Sequence, residues 1–298
     1  TIAYNITDYP TTVNFGNYTY SNQNATFVEY EEGIYVGYRY FNTFGVDVQY
    51  PFGFGLSYTS FDWKTVDFTF DGSTVSVSVL VTNTGERAGK DVVQVYVSLP
   101  YIEGGMEKSS IQLASYVKTD ELLPGEAGIY TADFSLWDSS SYDMNNEEAW
   151  VLDAGTYTVY TAKDVKNYVD TFTFDLNEKL VKKYDETSQV EIRNLFDDAA
   201  YDGMTILSRT NPQETMPTAP NNERCPIDIS DMDVTVAPEV DETMKITTLG
   251  ATYDQIIYLQ DVYQNPSLMD PFLDQLTLDE MISLICDCGY QTPAIDRL

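Results

Sequence analysis

The sequence predicts a mainly β chain organised around an antiparallel β-sandwich, and three observations carry that prediction. Val75, Val77, Val79 and Val81 alternate with small polar residues, the signature of a half-buried strand. Asn83-Thr84-Gly85-Glu86-Arg87-Ala88-Gly89 is a turn, after which Val93, Val95 and Val97 bring the chain back with the same period. Further strand candidates at Gly128 to Leu136, Gly155 to Thr161 and Val169 to Leu176 are separated by turn signals such as Leu123-Pro124-Gly125-Glu126.

Taken in chain order, the first 56 residues are rich in Tyr, Asn and Thr with glycine punctuation, and read as loop plus one or two strands. Val66, Phe68 and Phe70 open the alternating region, one side chain in two facing a core. The two valine runs that follow form either a hairpin or a strand pair facing each other across the sandwich. Residues 177 to about 262 are polar and acidic and hold Pro212, Pro217, Pro220, Pro226 and Pro238, so irregular structure is predicted, with a short helix near Gln189 to Phe196. Pro271 to Cys288 changes character. There Thr277-Leu278-Asp279-Glu280 is a capping box, Leu276 and Met281 are placed as a hydrophobic staple, and Met281, Ile282 and Ile285 recur at helical spacing.

Composition narrows the function classes. With 16 basic against 47 acidic residues, a formal charge of −31, nucleic acid and anionic membrane surfaces are repelled, whereas neutral sugars are not. A hydrophobic fraction of 43% over 298 residues supplies a sizeable core. No apolar run reaches the length of about 18 residues that a spanning helix needs, and the first residues have neither the basic nor the apolar region of a signal peptide. The absence of histidine excludes His-dependent triads and His-bearing zinc sites from this chain. Cys225, Cys286 and Cys288 are too few and too unevenly spaced for a disulfide framework, which favours a reducing, cytoplasmic compartment over a secreted one. Asn5-Ile6-Thr7, Asn17-Tyr18-Thr19 and Asn24-Ala25-Thr26 match the glycosylation sequon, a pattern that a Thr/Asn-rich stretch also produces by chance. Starting at Thr1 and stopping at Leu298 inside a motif, the chain reads as an internal fragment.

Two ordered motifs give the chain a family resemblance. Glu32-Gly33-Ile34-Tyr35-Val36-Gly37-Tyr38-Arg39-Tyr40, then Tyr50-Pro51-Phe52-Gly53-Phe54-Gly55-Leu56-Ser57-Tyr58-Thr59, resembles the passage from the α/β sandwich domain to the fibronectin type III-like domain of family 3 glycoside hydrolases. The run Val79 to Val97, with Leu122-Leu123-Pro124-Gly125-Glu126 and Asp153-Ala154-Gly155-Thr156-Tyr157, is similar to that family's fibronectin-like (immunoglobulin-like) sandwich. Leu276 to Ile285 and Gly289 to Leu298 resemble the opening of its TIM barrel. The resemblance implies four parts: the tail of the α/β sandwich domain at 1–56, a fibronectin type III-like domain at 57–175, a linker at 176–270 and the first barrel helix at 271–298. A sandwich that precedes the barrel is the order of the family's circularly permuted branch; a fusion of two adjacent enzymes is the less economical alternative, since Leu195 to Ala200 and Ile206 to Arg209 also resemble that branch.

What the resemblance implies about chemistry is a retaining β-glycosidase, most simply a β-glucosidase acting on β-linked oligosaccharides or aryl β-glucosides, with no cofactor and no metal. Such enzymes need two carboxyl groups roughly 5 Å apart, one of raised pKa. The family's nucleophile motif and acid/base glutamate both fall outside residues 1–298, so no catalytic residue is assigned and the missing barrel and sandwich portions are the implied partners. Asp62-Trp63 imitates the nucleophile motif but sits at the entry to the fibronectin-like domain, where a structural strand is the better reading. Glu31 and Glu32, neighbours in a probable strand, would point to opposite faces. Gly53-Phe54-Gly55 is read as a turn with aromatic packing and not a phosphate loop, and Asp228, Asp231 and Asp233 lack the spacing of a calcium loop. Tyr290 is the one substrate-binding candidate: it stands where relatives often carry a tryptophan near the sugar pocket, so the residue departs from the family's, and a buried aromatic closing the barrel helix fits equally. A non-catalytic carbohydrate-binding or adhesive sandwich is the alternative, and the barrel-like helix after the sandwich argues against it.

Overall fold

The valine runs become two facing layers in the computed structural model, which describes residues 1–13, 30–195, 204–218, 255–286 and 295, and the backbone of strands 15–20 and 23–28. Its elements run β1 (Ile2–Ala3), β2 (Phe15–Tyr20), β3 (Gln23–Val28), helix α1 (Tyr38–Thr43), β4 (Val48–Tyr50), β5 (Phe61–Phe70), β6 (Thr74–Asn83) and β7 (Val92–Ser98). They continue with β8 (Gln112–Lys118), β9 (Ala127–Ser135), β10 (Ser141–Asp143), β11 (Ala149–Leu152), β12 (Gly155–Asp164), β13 (Asn167–Leu176) and β14 (Leu180–Lys182). Helices α2 (Pro212–Thr215), α3 (Leu259–Gln264), α4 (Met269–Asp274) and α5 (Leu278–Cys286) complete the chain. Residues Thr1–Ile227 and Asp228–Leu298 form two separate units.

The sandwich pairs a three-stranded sheet, β5-β6-β9, with a four-stranded sheet, β13-β12-β7-β8. Strand β6 is bonded to β5 and β9, and β7 to β12 and β8, so the two valine runs lie in opposite sheets and do not form a hairpin. Val75, Val77, Val79 and Val81 are fully buried against a core that includes Val93, Val95, Val97, Tyr157, Val159 and Phe134. Each such side chain removed from water contributes about 1.5–3 kcal/mol, so the two facing valine runs supply a large part of the sandwich's cohesion. Phe68 stacks on Phe172 at 4.7 Å and Phe70 on Phe174 at 4.0 Å, closing the side where β5 meets β13.

One alternation is interrupted. The register of β5 against β6 shifts between Thr65 and Asp67, a bulge that leaves Val66 45% exposed while Trp63, Phe68 and Phe70 pack on the core. Val66 therefore does not share the inward face of Phe68 and Phe70, because the extra residue changes the phase of the pleat.

Strand β7 is buried on both faces. Val93, Val95 and Val97 enter the sandwich, while Tyr96 joins Ile111, Ala162 and Val165 in a second cluster completed by Tyr38 and Phe52 of the N-terminal segment. The helix α1 that supplies Tyr38 lies where composition suggested loop and strand. Gly37, at φ 59°, turns the chain into it, and Tyr40 and Phe41 are buried beside Ala3, Tyr35 and Leu207. Long-range burial has overridden the strand preference of Tyr and Phe. Short pairs β1–β4 and β2–β3 account for the strands predicted in this region.

The helix predicted near Gln189 to Phe196 is absent from residues 189–195. Gln189 sits at φ 59°, Tyr184 bridges to Glu191, and Asp185 Oδ1 accepts from the Thr187 and Ser188 amides at 3.1 and 2.7 Å. A local Asx turn has outcompeted a helical start, as short polar side chains do. The capping box of α5, in contrast, forms as predicted: Thr277 N donates to Glu280 Oε2 at 2.7 Å and Glu280 N to Thr277 Oγ1 at 3.3 Å. Leu276 is buried.

Asn83 ends β6 with every polar group used. Its Nδ2 donates to the Arg87 and Leu122 carbonyls at 2.7 and 2.8 Å, its Oδ1 accepts from Thr59 Oγ1 and Gly85 N at 2.7 and 3.1 Å, and its backbone pairs with Glu126 O and Gly125 N. Asn83→Ala should lower the unfolding free energy of the intact chain by at least about 1–3 kcal/mol, since fully buried groups would lose their partner. Urea denaturation followed by tryptophan fluorescence checks this, and an unchanged midpoint would contradict the role. Thr277→Ala should weaken the start of α5 by about 0.5–2 kcal/mol, read as faster amide exchange confined to residues 277–286.

Candidate functional site

The mechanism that the family resemblance implies needs a pair of carboxylates, and Glu31-Glu32 is the adjacent acidic pair that the sequence singles out. Glu31 and Glu32 are not on a strand. They occupy a turn over residues 31–34, closed by a hydrogen bond from Tyr35 N to Glu32 O at 3.0 Å, and both are buried, at 5% and 4% exposure. A turn replaces the strand because Gly33 takes φ 56° and because the segment carrying Leu207 covers it, Leu207 N donating to Glu31 O at 2.7 Å. A Cβ on Gly33 would lie 2.7 Å from Ile206 Cγ2, so glycine is required by space as well as by φ.

The Glu32 carboxyl is held above the usual carboxylate range. Burial is the main cause, a hydrogen bond from its backbone opposes it, and the neighbouring Glu31 charge adds to it. Its Oε2 has no hydrogen-bond partner. A raised carboxyl beside a second acid is the electrostatic pattern of a general acid. Here, however, the pair is adjacent in sequence and packed beneath Leu207 and Ile206, so both acids belong to a closed turn and not to a substrate-facing wall.

Asp62 and Trp63 lie on β5. Asp62 is exposed, whereas Trp63 packs on the sandwich core and donates its Nε1 to Asp91 Oδ2 at 2.8 Å, with Lys163 Nζ 5.5 Å from its ring. The two side chains leave opposite faces of the strand, and Trp63 is tied into the sandwich. Gly53 and Phe54 form a turn: Phe54 N donates to Pro51 O at 3.2 Å, and Phe54 packs on Tyr50 at 5.0 Å. Gly53, at φ 84°, receives Gln94 Nε2 on its carbonyl at 3.1 Å, and a Cβ there would meet Gln94 Oε1 at 2.0 Å. Tyr290, Asp228, Asp231 and Asp233 lie outside the described residues, as do Cys225 and Cys288, while Cys286 is an exposed free thiol. Among the described residues no cluster of three or more His, Cys, Asp or Glu has the geometry to hold a metal ion.

A buried ion pair among the described residues has no local signal in the sequence. Lys108 bonds to Asp153 and donates to Pro100 O at 2.9 Å, and Tyr157 donates to the Asp153 carbonyl at 2.8 Å. Asp153-Ala154-Gly155-Thr156-Tyr157 signalled a motif, but nothing around Lys108 marked its partner.

Comparison with known proteins places these features in context. A fibronectin type III-like domain family matches residues 91–165. A β-glucosidase of Ruminococcus albus is 41% identical over 186 residues, 61% of this chain and 19% of that protein. β-Glucosidase A of Butyrivibrio fibrisolvens is 32% identical over 243 residues, 73% of this chain and 28% of that one. Among solved structures, β-glucosidase 3B of Thermotoga neapolitana, with α-D-glucose, superposes with a TM-score of 0.54 at 38% identity, over 61% of this chain and 24% of its own. A β-glucosidase of Paenibacillus barengoltzii superposes over 96% of this chain and 30% of its own, with a TM-score of 0.57 and 30% identity. The chain thus spans less than a third of each of these relatives.

The raised Glu32 carboxyl sets a pH dependence. A carboxyl whose folded pKa lies above its unfolded value has no effect on stability below the unfolded value, near 4.5, destabilises increasingly as pH rises from there, and exacts its full cost above the folded value. Glu32→Gln should therefore stabilise the chain at pH 7 and lose that advantage as pH falls toward 4.5. Paired denaturant melts at the two pH values check the sign. A benefit that grows on acidification would contradict it.

Proposed function

We propose that this chain, a family 3 β-glucosidase-like protein with a fibronectin type III-like domain, is an internal portion of a retaining β-glucosidase in which the sandwich precedes the barrel. The observation that carries the reading is the superposition of a single crystallised β-glucosidase on 96% of the chain. A match of that extent supports one continuous enzyme over a junction of two. It also disfavours a free-standing carbohydrate-binding module, which has no need of the helical region beyond residue 255.

In this reading residues 1–56 are the end of the α/β sandwich domain, 57–175 the fibronectin-like domain, 176–270 a linker and 271–298 the opening of the barrel. The parent hydrolyses terminal β-linked glucosides. Its nucleophile and its acid, which must stand about 5 Å apart in a pocket, belong to parts beyond these residues. Tyr290 lines the sugar pocket, its ring against the apolar face of a pyranose. The structural employment of Trp63 and the enclosure of Glu31 and Glu32 support a non-catalytic role for this portion.

Aryl β-glucoside hydrolysis tests the proposal on the 298-residue chain and the full-length protein side by side. The full-length protein should turn over and the chain alone should not, because a lone carboxylate without its positioned partner lacks the geometry of the reaction. Robust turnover by the chain, abolished in Asp62→Asn, would overturn it. Tyr290→Ala in the full-length enzyme should raise KM for the glucoside, whereas unchanged kinetics would remove Tyr290 from the pocket.

A further inference from the structure

Residues 204–218 follow the sandwich in sequence, yet they pack back on the segment that precedes it. Leu207 is fully buried among Ala3, Tyr35, Tyr40 and Phe41, and Met216 packs on the same cluster, its Sδ 3.8 Å from Tyr40 Oη. Internal bonds hold the segment in shape: Ser208 N donates to Thr215 Oγ1 at 2.8 Å, and Met216 N to Pro212 O at 3.0 Å. Apolar packing of this kind is non-directional and does not by itself fix one seating. Directional groups are needed as well.

They converge on one side chain of the β7–β8 loop. The Glu107 carboxylate accepts from Tyr35 Oη, from Ser208 Oγ at 2.6 Å and from Arg209 N at 3.0 Å. The donors come from the N-terminal segment and from the 204–218 segment, and the acceptor comes from the sandwich. Flanking contacts repeat the pattern: Arg209 lies 4.3 Å over the Tyr101 ring, and Thr210 Oγ1 bonds to Tyr101 Oη at 2.9 Å and accepts from Gly104 N at 3.0 Å. On the other side Ser110 N donates to Thr43 Oγ1 at 2.9 Å and Leu113 N to Tyr38 Oη at 2.8 Å.

We propose that residues 204–218 are a strap that locks the N-terminal segment to the β-sandwich, and that Glu107 is its latch, a single carboxylate at which all three parts meet. The geometry gives this loop acid a purpose that its sequence context, Gly104-Gly105-Met106-Glu107-Lys108, does not signal. Charged acceptors make the stronger class of hydrogen bond, and three donors to one carboxylate make their loss cooperative. The inference is about how the chain is held together. It stands whether or not the parent is a β-glucosidase.

Amide exchange read by mass spectrometry on the intact 298-residue chain tests it. In Glu107→Ala, exchange at 204–218 and at 30–36 should accelerate by about tenfold or more, with β6, β7 and β12 unchanged. Tyr35→Phe and Ser208→Ala remove one donor each and should accelerate the strap by less, their combined effect in the double variant saturating at that of Glu107→Ala. Glu107→Gln, which keeps one acceptor oxygen, should fall between the wild type and Glu107→Ala. Either of two results would overturn the latch: strap exchange within about twofold of wild type in Glu107→Ala, or acceleration spread equally over the sandwich strands, which reports global destabilisation. Should Glu107→Ala fail to fold, the two single-donor variants decide the matter by the same readout.

Discussion

Burial of β7 on both of its faces is the constraint from which the rest of the Thr1–Ile227 unit follows. Its valines need the opposing sheet, and its Gln94 and Tyr96 need cover from outside the sandwich. An exposed Tyr96 face would leave a large apolar surface open beside a buried amide. The N-terminal segment supplies the cover: Phe52 and Tyr38 stack at 4.4 Å over Tyr96, and Gly53 offers its carbonyl to Gln94. Gln94 in turn accepts from Tyr96 Oη at 2.6 Å and donates to Lys163 O at 2.8 Å, so its amide is satisfied on both ends. A sandwich that could have closed on two sheets is thereby bound to the segment before it.

The same demand for satisfied polar groups explains how so acidic a chain folds. Many carboxylates serve as turn acceptors. Asp71 Oδ1 takes the amides of Ser73 and Thr74 at 2.9 and 2.8 Å, and those bonds hold its carboxyl below the usual range. Asp185 is lowered in the same way, by the amide and hydroxyl of Ser188 first. A carboxyl lowered on folding contributes stability above its unfolded pKa and loses it on acidification, so these turns and Glu32 respond to pH in opposite directions. Repulsion among exposed acids is the cost of the composition, and each turn or ion pair offsets a part of it.

Several readings were legible in the primary structure because they rest on local rules. The alternation of Val75 to Val81 defines which face of β6 is buried, Asn83-Thr84-Gly85 defines a turn, and Thr277 to Glu280 defines a helix start, each from residues within one turn or pleat of one another. The departures from that reading have the opposite cause, in partners that the local sequence does not contain. Alternation with Phe68 and Phe70 points Val66 inward, and the bulge that reverses it exists only when β5 pairs with β6. The local sequence around Glu31 and Glu32 reads as strand, and the turn that buries them is stabilised by Leu207, more than 170 residues away in the chain.

The amino-acid sequence by itself determined the mainly β class, the inward face of β6, the turns, the cap of α5 and the motifs that resemble family 3 glycoside hydrolases. Tertiary structure alone decided that the two valine runs oppose each other across a sandwich, that Tyr38 to Thr43 is helical, and that Asn83, Lys108 and Glu107 join distant segments. The division has a physical reason. Periodicity and capping depend on neighbours within a few residues, while burial and hydrogen-bond satisfaction depend on partners that only the folded chain brings into reach.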